Sequence, residues 1–404
     1  LIVSIRVLGL QISSLILFAV VFVWVLGSWA PPGCCWGVAR RSLSVDGGRR
    51  RTFCAEFVSI GACAIATGAV EGVQFALVEG GEALSIKAMG LADRERKVAM
   101  TVDTPINVAS ISKSLTAWGV LAFLEQQELE LDASVRELLT EGDLYDDIFA
   151  GADSTIRMLL SHTSGLSGAS VPVTPATEPV PSSTDVLRGR SSVPRPRLQS
   201  APDGSYLYSG AGYLLLQKMI EDQTGLAFAK FMAETVLSPA QMSNSTFALT
   251  RQMSGRTAVY YRADGRRREP FHLPGAAGGL YSTAADMALF LALYSESDRK
   301  SREEIIPVVR YAALLKPAVD AIKTDGRVRN IQYALGHYTY MTPEGTRMVF
   351  HTGGNPGLRA IYVVPLDRDA GFFAVANNDN GSKVLAEMMR AWGEHYDLTL
   401  HEYF

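Results

Sequence analysis

Leu115, Trp118, Leu121, Ala122 and Leu124 mark a helix that is apolar over most of its surface. A helix without a wet face is stable only when other elements enclose it, so the chain around it must supply a shell. From Val73 the run VQFALVEGGEALSIKAMG reads as two β-rich segments joined by a turn at Gly80 and Gly81. Helical patterns follow in TIRMLLSHTSGL, GYLLLQKMIEDQTG, FAKFMAETVLSP and STAADMALFLALY, the last opened by Thr283 and Asp286 at capping-box spacing. The chain then returns to strands in RMVFHTGG, RAIYVVPL and GFFAVANN, and closes on an amphipathic helix from Ser382 to His395. Strands at both ends with helices between them predict an α+β fold: an antiparallel β-sheet flanked by helices, with a mainly helical lobe inserted over roughly residues 125–275 of a domain spanning 51–404. Between Gly168 and Gly204, seven prolines exclude continuous helix and predict a long surface loop, either a lid or binding element or a disordered insertion.

With 404 residues, 48% hydrophobic and 20% charged, the chain can bury a sizeable core. A net charge of −3, without a basic aromatic-lined face, gives no footprint for nucleic acid. Cys34, Cys35, Cys54 and Cys63 all precede the first strand and so do not staple the later core. His162, His272, His337, His351, His395 and His401 form no metal-binding spacing. No metal and no cofactor are expected.

Residues 7–30 carry no charge and are long enough to cross a bilayer, for which roughly 20 apolar residues suffice. Residues 1–50 therefore read as a transmembrane or signal segment followed by a basic linker. Pro31 and Pro32 disfavour cleavage at the only small-residue site. Arg6 precedes the run, whereas Arg40, Arg41, Arg49, Arg50 and Arg51 follow it, a bias that by itself keeps the following domain cytoplasmic.

Ser110 and Lys113 open the buried helix, and a separation of three places them on one helical face. The helix N-terminus adds partial positive charge where an alkoxide would develop, as an activated serine requires. The same pair also suits a helix cap with a lysine reaching to solvent. A second copy of the spacing, Ser297 and Lys300 in SESDRKSREE, lies in a charged stretch and reads as solvated surface.

Four fragments in order, ASISKSLTA, APDGSYLYSGAGYLLLQKMIE, AAGGLYSTAADMALFL and FHTGGNPGLRAIYVVP, resemble the β-lactamase-like serine hydrolases: class C β-lactamases, D-alanyl-D-alanine carboxypeptidases, D-aminopeptidases and related esterases. The resemblance covers roughly Glu71 to Tyr396. It implies that Ser110 is a nucleophile forming an acyl-enzyme, Lys113 its charged partner, and Tyr208 the phenol that moves the proton to the leaving group. His351, Thr352 and Gly353 match the strand lining the other wall of the cleft, and the amides of Ser110 and Gly354 would form the oxyanion hole; His351 also suits a buried, hydrogen-bonded histidine on a strand. The resemblance further implies a small-molecule or peptide-like substrate, and an anchored or exported domain with the extracytoplasmic side favoured, against the arginine bias. His162 falls in a phrase that the family repeats at a helix end, and reads as structural.

One position departs from the family pattern. Where the second motif usually reads Tyr-x-Asn, this chain has Tyr208-Ser209-Gly210, which removes a side chain that commonly binds the substrate amide. With His351 in place of lysine, the change tilts the expected activity toward an esterase or D-peptidase and away from an efficient β-lactamase. A penicillin-binding sensor without turnover and a catalytically silent scaffold remain open at this level.

Overall fold

Val73, Phe75 and Leu77 point to one side of β1 (Gly72–Glu79), and Ala76 and Val78 to the other, and all five are buried. A strand covered on both faces belongs at the centre of a layered domain. The computed structural model describes residues 47–168, 171–202, 204–322 and 331–400. The uncharged run 7–30, on which the expected membrane segment rests, lies outside the described residues. Among those described, no helix is long and apolar enough to cross a membrane.

Nine strands among the described residues form one sheet. After β1 come β2 (Glu82–Asp93), β3 (Val98–Ala99), β4 (Val319–Ile322), β5 (Ile331–Tyr333), β6 (Tyr338–Met341), β7 (Arg347–Asn355), β8 (Leu358–Pro365) and β9 (Ala370–Ala376). Their spatial order is β3-β2-β1-β9-β8-β7-β6-β5-β4, antiparallel throughout. The β1–β9 pairing, Val73 opposite Ala376, joins the two chain ends as the strand–helix–strand order predicted. Gly80 and Gly81 turn the first hairpin at φ of 64° and 76°, a region that glycine enters without steric cost.

The outer face of the sheet is covered by α1 (Gly47–Ala66) and by a helix at the chain's other end, Gly381–His395, within one residue of the expected start. Phe53 and Phe57 of α1 join Phe75, Phe372, Met388 and Trp392 in one apolar cluster, with Phe57 5.4 Å from Phe75 and 5.6 Å from Phe372 between ring centroids. The sequence does not announce α1, because small residues dilute its buried face: Gly61 sits where a β-carbon would meet the Met89 side chain. Arg49 and Arg50, expected in the linker, fall inside this helix together with Arg51.

On the inner face lies α2 (Ser112–Gln126), in which every residue from Ser112 to Leu124 is buried. Its polar side chains are satisfied internally, as burial demands. Ser114 Oγ donates to the Gly336 carbonyl at 2.7 Å and accepts from Tyr362 Oη at 2.9 Å, and Thr116 Oγ1 donates to the Ala276 carbonyl at 2.9 Å. Helices α3 (Gly210–Thr224) and α4 (Ala284–Ala292) pack around the same core. The Thr283 hydroxyl caps α4 by accepting from the Asp286 amide, whereas the Asp286 carboxylate turns away to the Asn244 amide and the Ser245 hydroxyl. Of the Pro-rich stretch, the described parts are mostly irregular, with one short helix at Ser183–Leu187.

Docking of α1 has a direct energetic consequence. Phe57→Ala is expected to lower the unfolding free energy by about 3–5 kcal/mol, as loss of a buried aromatic does, whereas Arg51→Ala, exposed on the same helix, changes it by less than about 0.5 kcal/mol. Urea denaturation of both variants checks this.

Candidate active site

Ala109–Ile111 form a single 3-10 turn that leads directly into α2, and Ser110 stands at its centre. Ala109 holds a left-handed φ of 50°, which is uncommon for a residue with a β-carbon. That turn brings the hydroxyl to the helix mouth. Lys113 Nζ donates to Ser110 Oγ at 3.1 Å and to the Ala277 carbonyl at 2.6 Å. Tyr208 Oη donates to the same Ser110 Oγ at 2.9 Å. Three residues drawn from two distant stretches of the chain therefore meet at one oxygen.

Lys113 as a residue is only 2% exposed. It forms no ion pair among the described residues; it rests 4.9 Å from the Tyr208 ring centre and 5.6 Å from that of Tyr213, where the π faces attract a cation. Two hydrogen-bond donors converging on Ser110 Oγ is the arrangement that stabilises an oxyanion at that atom.

Tyr208 is fixed from beneath by His162. The Leu207 amide donates to the His162 carbonyl at 2.8 Å, the Ser209 amide donates to His162 Nδ1 at 3.1 Å, and the two rings lie 4.3 Å apart. His162 supports the site, as a structural reading requires, and lies directly beside the Tyr208 phenol. Burial holds its imidazole well below the usual histidine range, so it is neutral. Its left-handed φ of 59° lets one residue grip both flanks of Tyr208, and no pattern in the sequence discloses that.

The opposite wall is the free end of β7. Strand β6 pairs with β7 only as far as Phe350, so residues 351–355 have no strand neighbour on that edge among the described residues. Gly353 packs on the turn bearing Ser110, where a β-carbon would collide with the Val108 carbonyl. Thr352 and Gly354 are exposed. Of the two readings the sequence allows for His351, the structure shows the buried, hydrogen-bonded histidine and not the substrate-facing one. The residue is 1% exposed; Nδ1 donates to the Thr352 carbonyl at 2.7 Å, which leaves Nε2 to accept from Tyr333 Oη at 3.2 Å. Burial first, and the Lys113 charge second, bring its pKa down to about 3.

Gly210 is the buried first residue of α3, its amide donating to the Gly168 carbonyl at 2.8 Å, with Ser209 as the cap accepting from Gly212. No side chain leaves this position toward the cleft. Ser297 and Lys300 are exposed, as expected, and Ser297 Oγ donates to Asp369 Oδ2 at 3.0 Å.

The Ser110 hydroxyl thus accepts from a buried lysine and from a phenol beside a glycine-edged strand. A family model described as Beta-lactamase matches residues 60–395, and the chain belongs to that family. Among curated relatives, it is 25% identical to "Penicillin-binding protein 4*" of Bacillus subtilis over 354 residues, 79% of this chain and 72% of the relative. It is 22% identical to "Protein flp" of Staphylococcus aureus over 317 residues, 77% of this chain and 60% of that protein's length. Among solved structures, the D-amino acid amidase of Ochrobactrum anthropi SV3 superposes with a TM-score of 0.66 at 21% identity, covering 85% of this chain and 99% of that one. The hydrolase EstCE1 gives a TM-score of 0.63 at 18% identity, covering 85% and 98%.

The buried histidines predict acid sensitivity. His337 and His351 both have a folded pKa of about 3 against 6.5 for an ordinary histidine. Between those values the unfolded chain binds protons that the folded chain refuses, so stability is fully present above about pH 6.5 and falls as the pH drops toward 3. Each contributes a slope of up to about 1.4 kcal/mol per pH unit. His337→Leu is expected to flatten the loss measured by urea denaturation between pH 6.5 and 4.5, whereas an unchanged slope would contradict the assignment.

Proposed function

We propose that the chain hydrolyses small acyl substrates through an acyl-enzyme on Ser110, with esters preferred over β-lactams. The observation that carries this reading is the convergence of Lys113 Nζ and Tyr208 Oη on Ser110 Oγ, at 3.1 and 2.9 Å. As Oγ bonds to the substrate carbonyl carbon, the serine proton moves to Tyr208 Oη while the phenol gives its own proton to the departing oxygen or nitrogen, whose bond to that carbon breaks. Lys113 stabilises the negative charge developing between serine and phenol. The amides of Ser110 and Gly354 receive the carbonyl oxygen, and water then releases the acid by the reverse proton path.

Two features support esters. Gly210 offers no amide side chain to a peptide-like substrate, and the neutral, buried His351 offers no cation to a substrate carboxylate. Fold neighbours include an amidase and a hydrolase titled as having promiscuous acyltransferase activity, so D-amino amides form the second substrate class to test. The name of the Bacillus relative motivates labelled penicillin as a third probe. The uncharged residues 7–30 support anchoring to, or export across, a membrane.

Ser110→Ala is expected to abolish fluorophosphonate labelling and turnover of p-nitrophenyl esters. Tyr208→Phe should retain the fold and lose about 10²- to 10⁴-fold in kcat, the range of a proton-transfer group. Ester turnover that survives Ser110→Ala would refute the proposal; a single burst of product without a steady state would favour a penicillin-binding sensor.

A further inference from the structure

Acyl transfer at this site requires the Ser110 and Gly354 amides to sit a fixed distance apart, yet they belong to different elements. One lies on the turn before α2 and the other on the edge of β7 that has lost its strand neighbour. We propose that the hydrogen bond between Asn107 and Asn355 sets this separation, making Asn355 a positioning residue for the oxyanion pocket. The inference rests on the acyl-enzyme reading of Ser110.

Asn107 is wholly buried and fully engaged. Its Oδ1 accepts from the Ala109 amide at 2.9 Å and from Asn355 Nδ2 at 2.7 Å; its Nδ2 donates to the carbonyls of Gly278 at 2.9 Å and Leu280 at 3.1 Å. Its own amide donates to Tyr260 Oη at 3.0 Å. One side chain thus stabilises the left-handed Ala109 immediately before the nucleophile and grips the segment whose neighbouring carbonyl, Ala277, holds Lys113. The fourth bond reaches across the cleft to β7.

Asn355 is in turn held rigidly. It opens the turn into β8, where Pro356 restricts φ and Gly357 takes a φ of 83°. The Gly357 amide donates to Asp379 Oδ1 at 2.8 Å, and Arg359 Nη1 donates to the Asn355 carbonyl at 2.9 Å. A stiff turn at one end and a saturated amide at the other make the 2.7 Å bond a strut between the two oxyanion donors. Gly353 permits the close approach, and the two asparagines fix its register. Asn355 is only partly buried, so shortening it opens a gap that water can enter rather than a core cavity.

The test uses the whole chain. Asn355→Ala is expected to keep the melting temperature within a few degrees, leave KM for p-nitrophenyl acetate unchanged and lower kcat by about 10- to 100-fold, as small misplacements of reacting groups do. Affinity for phenylboronic acid, which forms a tetrahedral adduct on Ser110, should fall by a similar factor, while fluorophosphonate labelling still reaches completion at long times. Asn355→Asp, which sets a carboxylate against Asn107 Oδ1, should be at least as slow at pH 8. Where the alanine melts below the assay temperature, Asn355→Ser, too short to reach Asn107, must show the same paired losses. Wild-type kcat and boronate affinity in a folded Asn355→Ala would overturn the proposal. Absence of Ser110-dependent labelling in the unaltered chain would remove the acyl-enzyme reading itself, and the strut with it.

Discussion

A lysine ammonium buried with no carboxylate partner among the described residues is the constraint around which this domain is arranged. Such a charge is costly to desolvate unless hydrogen bonds and polarisable groups replace its water. Lys113 receives two oxygens, from Ser110 and Ala277, and two aromatic faces, from Tyr208 and Tyr213. None of these neutralises it. The charge therefore remains available to an anion forming at Ser110, which a lysine–carboxylate pair would not allow to the same degree.

The demands of that one group propagate outward. Its carbonyl partner lies in the segment before α4, its aromatic partners lie on or just before α3, and its hydroxyl partner lies on the turn before α2. Each segment is locked in turn: α2 by its internally satisfied serines and threonine, Tyr208 by His162, and the turn at Ser110 by Asn107. The sheet contributes the free edge of β7, which exists because β6 stops pairing at Phe350. Placing the reactive atoms on elements whose own rotamers are fixed by packing is what pre-organises a site.

The elements legible in the sequence are those governed by periodicity or by local turn chemistry. The buried α2, the hairpin at Gly80–Gly81, the cap at Thr283 and the closing helix all follow from short-range patterns, and Ser110, Lys113 and Tyr208 from their motifs. Helix α1 escaped because its buried face alternates large aromatics with glycine and alanine. The sequence places His351 on its strand but leaves its outlook open, since strand alternation does not say which face meets a cavity and which meets Tyr333. Asn107 and Asn355 are 248 residues apart, and a hydrogen bond of that span leaves no local signal. Left-handed backbone at Ala109 and His162 is equally silent, because neither residue type favours it enough to announce it.

Serine, lysine and tyrosine act here as one device only if substrate carbon becomes bonded to Ser110 Oγ. Acid quenching of the chain during turnover of a p-nitrophenyl ester, followed by mass mapping of its peptides, measures that bond directly. The account predicts the acyl mass on the peptide containing Ser110, present during steady turnover and decaying once substrate is exhausted. An acyl group carried by any other residue, or turnover with no acylated peptide even for the slowest-released acyl groups, would contradict it.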